Sequence, residues 1–180
     1  MNIYFKDDNF YNLERQEGLF YLTAKAVHEG GPVEGTNIKF ILDTGAYMTV
    51  ISRGTAISIG FDKLPKTKAT LFGFGGGIDV DFVRIPGLKI LNKLLTNVPV
   101  LIPHDMYRIH PNTGEKKQMP EVLGLNVLEY YNYYIDTERS RLYLSENSVP
   151  RFYSNALESG QAFIAGTAEL CYNLSGSLSR

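Results

Sequence analysis

Phe40-Ile41-Leu42-Asp43-Thr44-Gly45-Ala46 is the stretch on which the reading of this chain turns. Residues 38–42 have the β-branched and aromatic character of a buried strand, and they end directly on a carboxylate. Burial of an ionisable group at a strand end is expected to raise its pKa, because a low-dielectric surrounding disfavours the charged form. Thr44 can hydrogen-bond locally or across an interface, and Gly45 lets backbone approach the carboxylate closely. That arrangement costs stability and suits acid–base chemistry. The plain alternative is an Asp that closes a turn after a strand by accepting from nearby amides. So short a string recurs by chance, so the choice depends on what surrounds it.

Outward from this stretch the chain is punctuated as many short strands. Leu19–Val27 reads as a strand that ends before Gly30-Gly31-Pro32 and pairs with residues 38–42 as a hairpin; Thr49-Val50-Ile51 reads as a third strand. Residues 69–72 and 78–83 flank Gly73-Phe74-Gly75-Gly76-Gly77, the pattern of a hairpin with a glycine tip. Residues 88–91 and 98–102 add two more strands, the second marked as an edge by Pro99 and stopped by Pro103. Residues 104–120 read as a polar excursion with a turn at Asn112-Thr113-Gly114. Val122-Leu123-Gly124 is a short apolar strand leading into a short helix, with Asn126 as its expected N-cap. A last hairpin is expected from Tyr133-Tyr134-Ile135-Asp136 and Arg141-Leu142-Tyr143-Leu144. Beyond Asn147 only weak apolar islands occur, such as Ala162-Phe163-Ile164-Ala165. The class is mainly β, a barrel or sandwich with little helix.

Composition excludes several functions. The 180 residues suit one domain, or one domain with a tail, and 44% apolar content is enough for a core. Eighteen basic against nineteen acidic side chains give a net charge of −1, which argues against a nucleic-acid binder. Lys63, Lys66 and Lys68, the densest basic run, read as a solvated loop, and Tyr130, Tyr131, Tyr133 and Tyr134 as core or interface. A single cysteine, Cys171, can form neither an intrachain disulfide nor a thiolate metal cage. His104, Asp105 and His110 lack metal-ligand spacing, and Ile78 stands where a dinucleotide fingerprint needs its third glycine. No metal and no cofactor is expected. The absence of a secretory pattern and of a membrane-length apolar run leads to an expected cytoplasmic location, with no membrane partner.

The segment from Phe40 through Asp43-Thr44-Gly45-Ala46 to Thr49-Val50-Ile51 closely resembles the active-site segment of retropepsin-like aspartic proteases. Gly73-Phe74-Gly75-Gly76-Gly77-Ile78-Asp79-Val80 resembles that family's substrate-covering flap. Val122-Leu123-Gly124-Leu125-Asn126-Val127-Leu128 resembles the element that passes beneath its catalytic loop, and residues 133–144 resemble the hairpin that follows. The landmarks stand in the family's order across about two thirds of the chain. The resemblance implies a closed acid-protease β-barrel with one short helix and a glycine-tipped flap. It also implies Asp43 as catalytic residue and Thr44, Gly45 and Ala46 as active-site loop. Phe74, Gly75, Gly76, Gly77 and Ile78 would be the substrate-binding flap, and Leu123, Gly124 and Asn126 structural support.

Hydrolysis by such a site needs two carboxylates sharing one proton. The other Asp-Thr pair, Asp136-Thr137, is followed by Glu138 rather than glycine and lies in a hairpin turn. The second Asp43 is therefore expected from a second chain across a two-fold axis, giving a homodimer that acts on extended polypeptide. Two-lobed relatives carry both copies in nearly double the length. Many viral members have an Asp after the tetrapeptide and an Arg after the later glycine; here Tyr47 and Leu125 stand there, so an apolar contact can replace the ion pair. The expected organisation is an N-terminal segment over 1–18 that could serve as an interface strand, a protease domain over 19–146, and an extension over 147–180. The alternatives are a catalytically silent dimeric peptide-binding module of the same fold and an unrelated β-barrel adaptor.

Overall fold

The computed structural model describes residues 10–28, 35–73, 76–105, 107–109, 113–146 and 163–164. In chain order these form β1 (Phe10–Asn12), β2 (Glu14–Gln16), β3 (Leu19–Val27), β4 (Thr36–Leu42), α1 (Arg53–Ser58), a 3-10 turn at Phe61–Lys63, β5 (Lys66–Gly73) and β6 (Gly76–Ile90). There follow β7 (Lys93–Pro103), β8 (Tyr107–Ile109), β9 (Lys116–Gln118), β10 (Val122–Leu123), α2 (Leu125–Leu128), β11 (Tyr131–Asp136), β12 (Arg141–Glu146) and β13 (Phe163–Ile164).

The expected β3–β4 hairpin is antiparallel, with Leu22 opposite Phe40 and both side chains buried. It lies inside the main sheet, whose order is β10-β4-β3-β6-β5-β13, with β2 added to β3 and β7 added to β6. A three-stranded sheet, β1-β12-β11, packs its Leu142 and Leu144 into the same core. The fold is mainly β with few helices. A closed barrel is the expectation; the ladders among the named strands run from β10 to β13 without closing, while single bridges from Val50 to Val122 and to Leu101 join β10 to β7. None of the described helices is long and apolar enough to cross a membrane.

Several elements differ from the sequence reading. Residues 88–91 do not form a separate strand, because β6 continues through Pro86. The register passes from Ile85 opposite Val98 to Gly87 opposite Thr96, so no ladder bond is asked of the proline. Pro99 lies in a strand with one full ladder, onto β6, and only the bridge of Leu101 to Val50 on its other side. The helix α1 was not expected; Ser52 caps it, its hydroxyl accepting from the amide of Thr55. Asn126 is not the N-cap of α2: Gly124 holds that position and Asn126 is the second residue inside the helix, its side-chain amide engaged elsewhere. The polar excursion carries a small hairpin, β8 with β9, and the expected turn residue Asn112 lies outside the described residues. Lys66 and Lys68 belong to β5 rather than to a loop.

Two apolar clusters fill the interior. The larger contains Phe40, Ile85, Leu88, Val100, Leu123, Leu128 and Leu142. The smaller joins Ala46, Met48 and Val50 to Leu71, Val80, Phe82, Leu101 and Val122. It fixes the β5–β6 hairpin against the segment that follows Asp43.

Candidate active site

β4 delivers Asp43 to the site because β10 runs parallel to its end, with Val122 opposite Ile41 and Leu123 opposite Leu42. The Asp43 amide donates to the Leu123 carbonyl at 3.2 Å, and the Ile41 amide donates to the Glu121 carbonyl at 2.8 Å. The Asp43 side chain is buried, with the residue 3% exposed. Its Oδ1 accepts from the amides of Gly45 at 2.8 Å and Ala46 at 3.1 Å. Burial pushes the carboxyl above the ordinary aspartate range; the two amides pull it down but do not cancel the effect. The turn-closing bonds of the plain alternative are thus present. What a simple cap would lack is the net upward shift, since an ordinary turn Asp stays solvated and ionised. Thr44 and Gly45 are exposed while Ala46 is buried, so the loop turns its first two residues outward.

The floor of the site is a crossing of three segments. Val50 exchanges amide–carbonyl bonds with Val122 at 2.8 and 2.9 Å, and residues 49–51 bond Leu101 on the other side at 2.9 Å. Gly124 lies so close to the loop that a Cβ would stand 2.5 Å from the Met48 carbonyl carbon and 2.9 Å from the Thr49 nitrogen. No residue larger than glycine fits there without moving backbone. The Gly124 amide donates to the Thr49 hydroxyl at 3.1 Å, which in turn donates to Asn126 Oδ1 at 2.9 Å. Asn126 Oδ1 also accepts from the Thr49 amide at 2.7 Å, and its Nδ2 donates to the Pro99 carbonyl at 2.7 Å. The Leu125 and Asn126 amides donate to the carbonyls of Ala46 and Tyr47 at 2.8 and 3.2 Å. Around Tyr47 and Leu125 the two segments are joined by backbone bonds and by the Asn126 amide.

Two supporting groups escaped the sequence reading. Thr49 reads there only as part of a strand, and nothing local announces its partner Asn126. Glu121, just before β10, accepts from the Ser52 amide and hydroxyl at 2.5 and 2.6 Å and from the Thr55 hydroxyl at 2.6 Å. It ties α1 to the crossing. A serine three residues before a threonine, closing an apolar strand, is the helix-start signal that was available.

The glycine-rich segment lies at the turn of the β5–β6 hairpin, with Leu71 opposite Ile78, Phe72 opposite Gly77 and Gly73 opposite Gly76. Of the residues expected there, Gly76, Gly77 and Ile78 are in β6, while Phe74 and Gly75 lie outside the described residues. At the other end of the hairpin, buried Asp81 bonds Arg53 at 3.0 Å and His104 at 2.9 Å, with the Lys66 ammonium at 3.4 Å. Burial alone would raise the Asp81 carboxyl, but the His104 and Arg53 hydrogen bonds and the Lys66 charge outweigh it and hold it below the usual range.

A family model described as "gag-polyprotein putative aspartyl protease" matches residues 30–130, the span from before β4 to the end of α2. Among solved structures, a retropepsin-like aspartic protease from Rickettsia conorii resembles this chain with a TM-score of 0.52. The likeness covers 76% of this chain and 90% of that one at 18% sequence identity, and at that identity it speaks to the fold. No curated protein matches the chain.

Proposed function

The chain belongs to the gag-polyprotein family of retropepsin-like aspartic proteases, and from that premise we propose that it is a homodimeric endopeptidase whose active site holds Asp43 of both protomers. The observation that carries this reading is a single Asp-Thr-Gly whose carboxylate is buried, pushed toward its protonated form, and set in a loop with two exposed residues. One such group is half of a dyad. Two like carboxylates brought face to face cannot both ionise, and the pair titrates as a unit.

In this mechanism a water between the two carboxylates is the nucleophile. The ionised Asp43 takes its proton as the oxygen attacks the scissile carbonyl, and the protonated Asp43 of the other protomer donates to the carbonyl oxygen. The tetrahedral intermediate collapses when the amide nitrogen is protonated, and no bond to the protein forms. Thr44, exposed and hydrogen-bonded to none of the described residues, would bond the opposite protomer's loop. Gly45 and Ala46 complete the active-site loop, with Gly45 offering its carbonyl to an extended substrate. The β5–β6 hairpin would serve as the flap, with Phe74 to Ile78 as its substrate-covering tip. Leu123, Gly124 and Asn126 hold the loop from beneath.

The test is digestion of an unfolded protein between about pH 4 and 7, where carboxylate dyads operate, by the wild type and by Asp43→Asn. Cutting by the wild type alone, blocked by a statine-containing inhibitor and carried by a species of twice the 20.2 kDa chain mass, is the expected result. A monomer that cuts nothing overturns the reading. A dimer that cuts nothing favours the silent peptide-binding module instead.

A further inference from the structure

The β5–β6 hairpin has β6 on one side of β5, and on the other side β5 presents a strand edge. At Leu71 and Phe72 that edge is occupied. β13, two residues near the end of the chain, pairs with it in parallel, Phe163 opposite Leu71 and Ile164 opposite Phe72. Among the described residues this is the only ladder β13 makes. Leu71 belongs to the buried cluster that contains Ala46 and Met48, directly after Asp43, so this edge belongs to the catalytic side of the molecule. Phe72, next to it, is 43% exposed.

We propose that Phe163–Ile164 holds, in the same chain, the place that an extended substrate takes on β5, and so acts as a built-in competitor for the active site. The inference rests on the endopeptidase reading above. Its chemistry is strand addition: an open edge accepts any extended backbone, and main-chain bonds supply the affinity. The sequence around β13, Gln161-Ala162-Phe163-Ile164-Ala165-Gly166, carries no charge and no proline, so every residue there can donate to a ladder. Sixteen residues, 147–162, separate β13 from the end of β12. Fully extended, a stretch of that length spans about 50 Å, so its length does not limit where β13 can pair.

The direction of pairing is consistent with substrate mimicry. An extended peptide crossing a two-fold axis meets two copies of β5 related by a half-turn. It must run parallel to one and antiparallel to the other. β13 makes the parallel one of these two arrangements. A competitor tethered in this way acts at a high local concentration and lowers apparent substrate affinity by the fraction of time it is bound.

The experiment uses the full chain with Phe163→Pro and Ile164→Pro, since proline removes a ladder donor and is disfavoured inside a pair. Three readouts are compared with the wild type: hydrogen exchange of the amides over residues 71–73, affinity for a statine-containing extended peptide, and KM and kcat for an added peptide substrate. In the variants we expect faster exchange at residues 71–73, inhibitor binding about five- to tenfold tighter and a matching fall in KM with kcat unchanged. Equal exchange and equal affinity in wild type and variants overturn the proposal. Faster exchange without tighter binding overturns it too, and makes β13 a cover for an exposed edge. Wild type and variants that all neither bind the inhibitor nor cut remove the endopeptidase reading and this inference together, whereas a wild type that binds and cuts as well as the variants removes only the inference.

Discussion

Asp43 sits where ionisation is unfavourable, and its two amide donors offset only part of that cost. The sign of the pH dependence follows. A carboxyl whose folded pKa is raised contributes its stability fully below the ordinary aspartate value of about 3.9 and loses it as pH rises through the folded value. Asp43→Asn keeps an oxygen for the Gly45 and Ala46 amides and carries no charge. It should therefore melt above the wild type near neutral pH, with the advantage vanishing below about pH 4, while proteolysis falls at least about a hundredfold. Thermal melts across pH check the first half and peptide hydrolysis the second. At Gly124 the constraint is space. Gly124→Ala should cost about 3 kcal/mol or more in denaturant unfolding, because the atoms a methyl meets are backbone of Met48 and Thr49 and cannot rotate away. Both residues were legible in the sequence, since a carboxylate ending an apolar strand and a glycine inside an apolar run are local oddities. The Thr49–Asn126 bond was not legible. Its partners are 77 positions apart, and Asn126 reads equally well as a helix cap.

The elements were legible where alternation and turn chemistry agree, as in the β3–β4 pair and in the last hairpin. There Asp136 Oδ1 accepts from the amides of Glu138 and Arg139 and closes the turn. They were misread where local signals were weak. Residues 78–83 and 88–91 read as two strands, whereas β6 is continuous from Gly76 to Ile90, and six residues of α1 without apolar periodicity gave only a capping serine as a signal. Asp81 shows how an element depends on charges from others. It fastens β6 to the start of α1 through Arg53, to the first residue of β5 through Lys66, and to the residue after β7 through His104. With its folded pKa lowered, Asp81 contributes stability above the ordinary aspartate pKa, and that contribution disappears as pH falls through the lower folded value. Asp81→Asn should cost about 1–3 kcal/mol at pH 7 and progressively less in acid, as read by urea unfolding at each pH. If the hairpin is the flap, the same variant should raise KM more than it lowers kcat.

At the scale of the whole molecule, the proposed shared site makes a prediction that a self-contained site does not. Adding an equal amount of Asp43→Asn to a fixed amount of wild type, with time for exchange, should leave about half the activity, because mixed dimers hold one working carboxylate. Full retention of activity would point to a site that needs only one chain. Activity per molecule should also fall on dilution. The proposal of a partner rests on the count of Asp-Thr-Gly motifs in the sequence, whereas the pairing of β13 with β5 was not legible there, since a two-residue strand leaves no periodicity to read. The crossing beneath Asp43 has a further consequence, in time. Asp43 precedes Leu123, Gly124 and Asn126, which hold its loop, by some eighty residues along the chain. At roughly 5–20 residues per second, translation leaves an interval of several seconds in which the Asp43 segment exists without its floor. The Asp43 loop therefore acquires its hydrogen-bonded support only after residues 121–126 have been made.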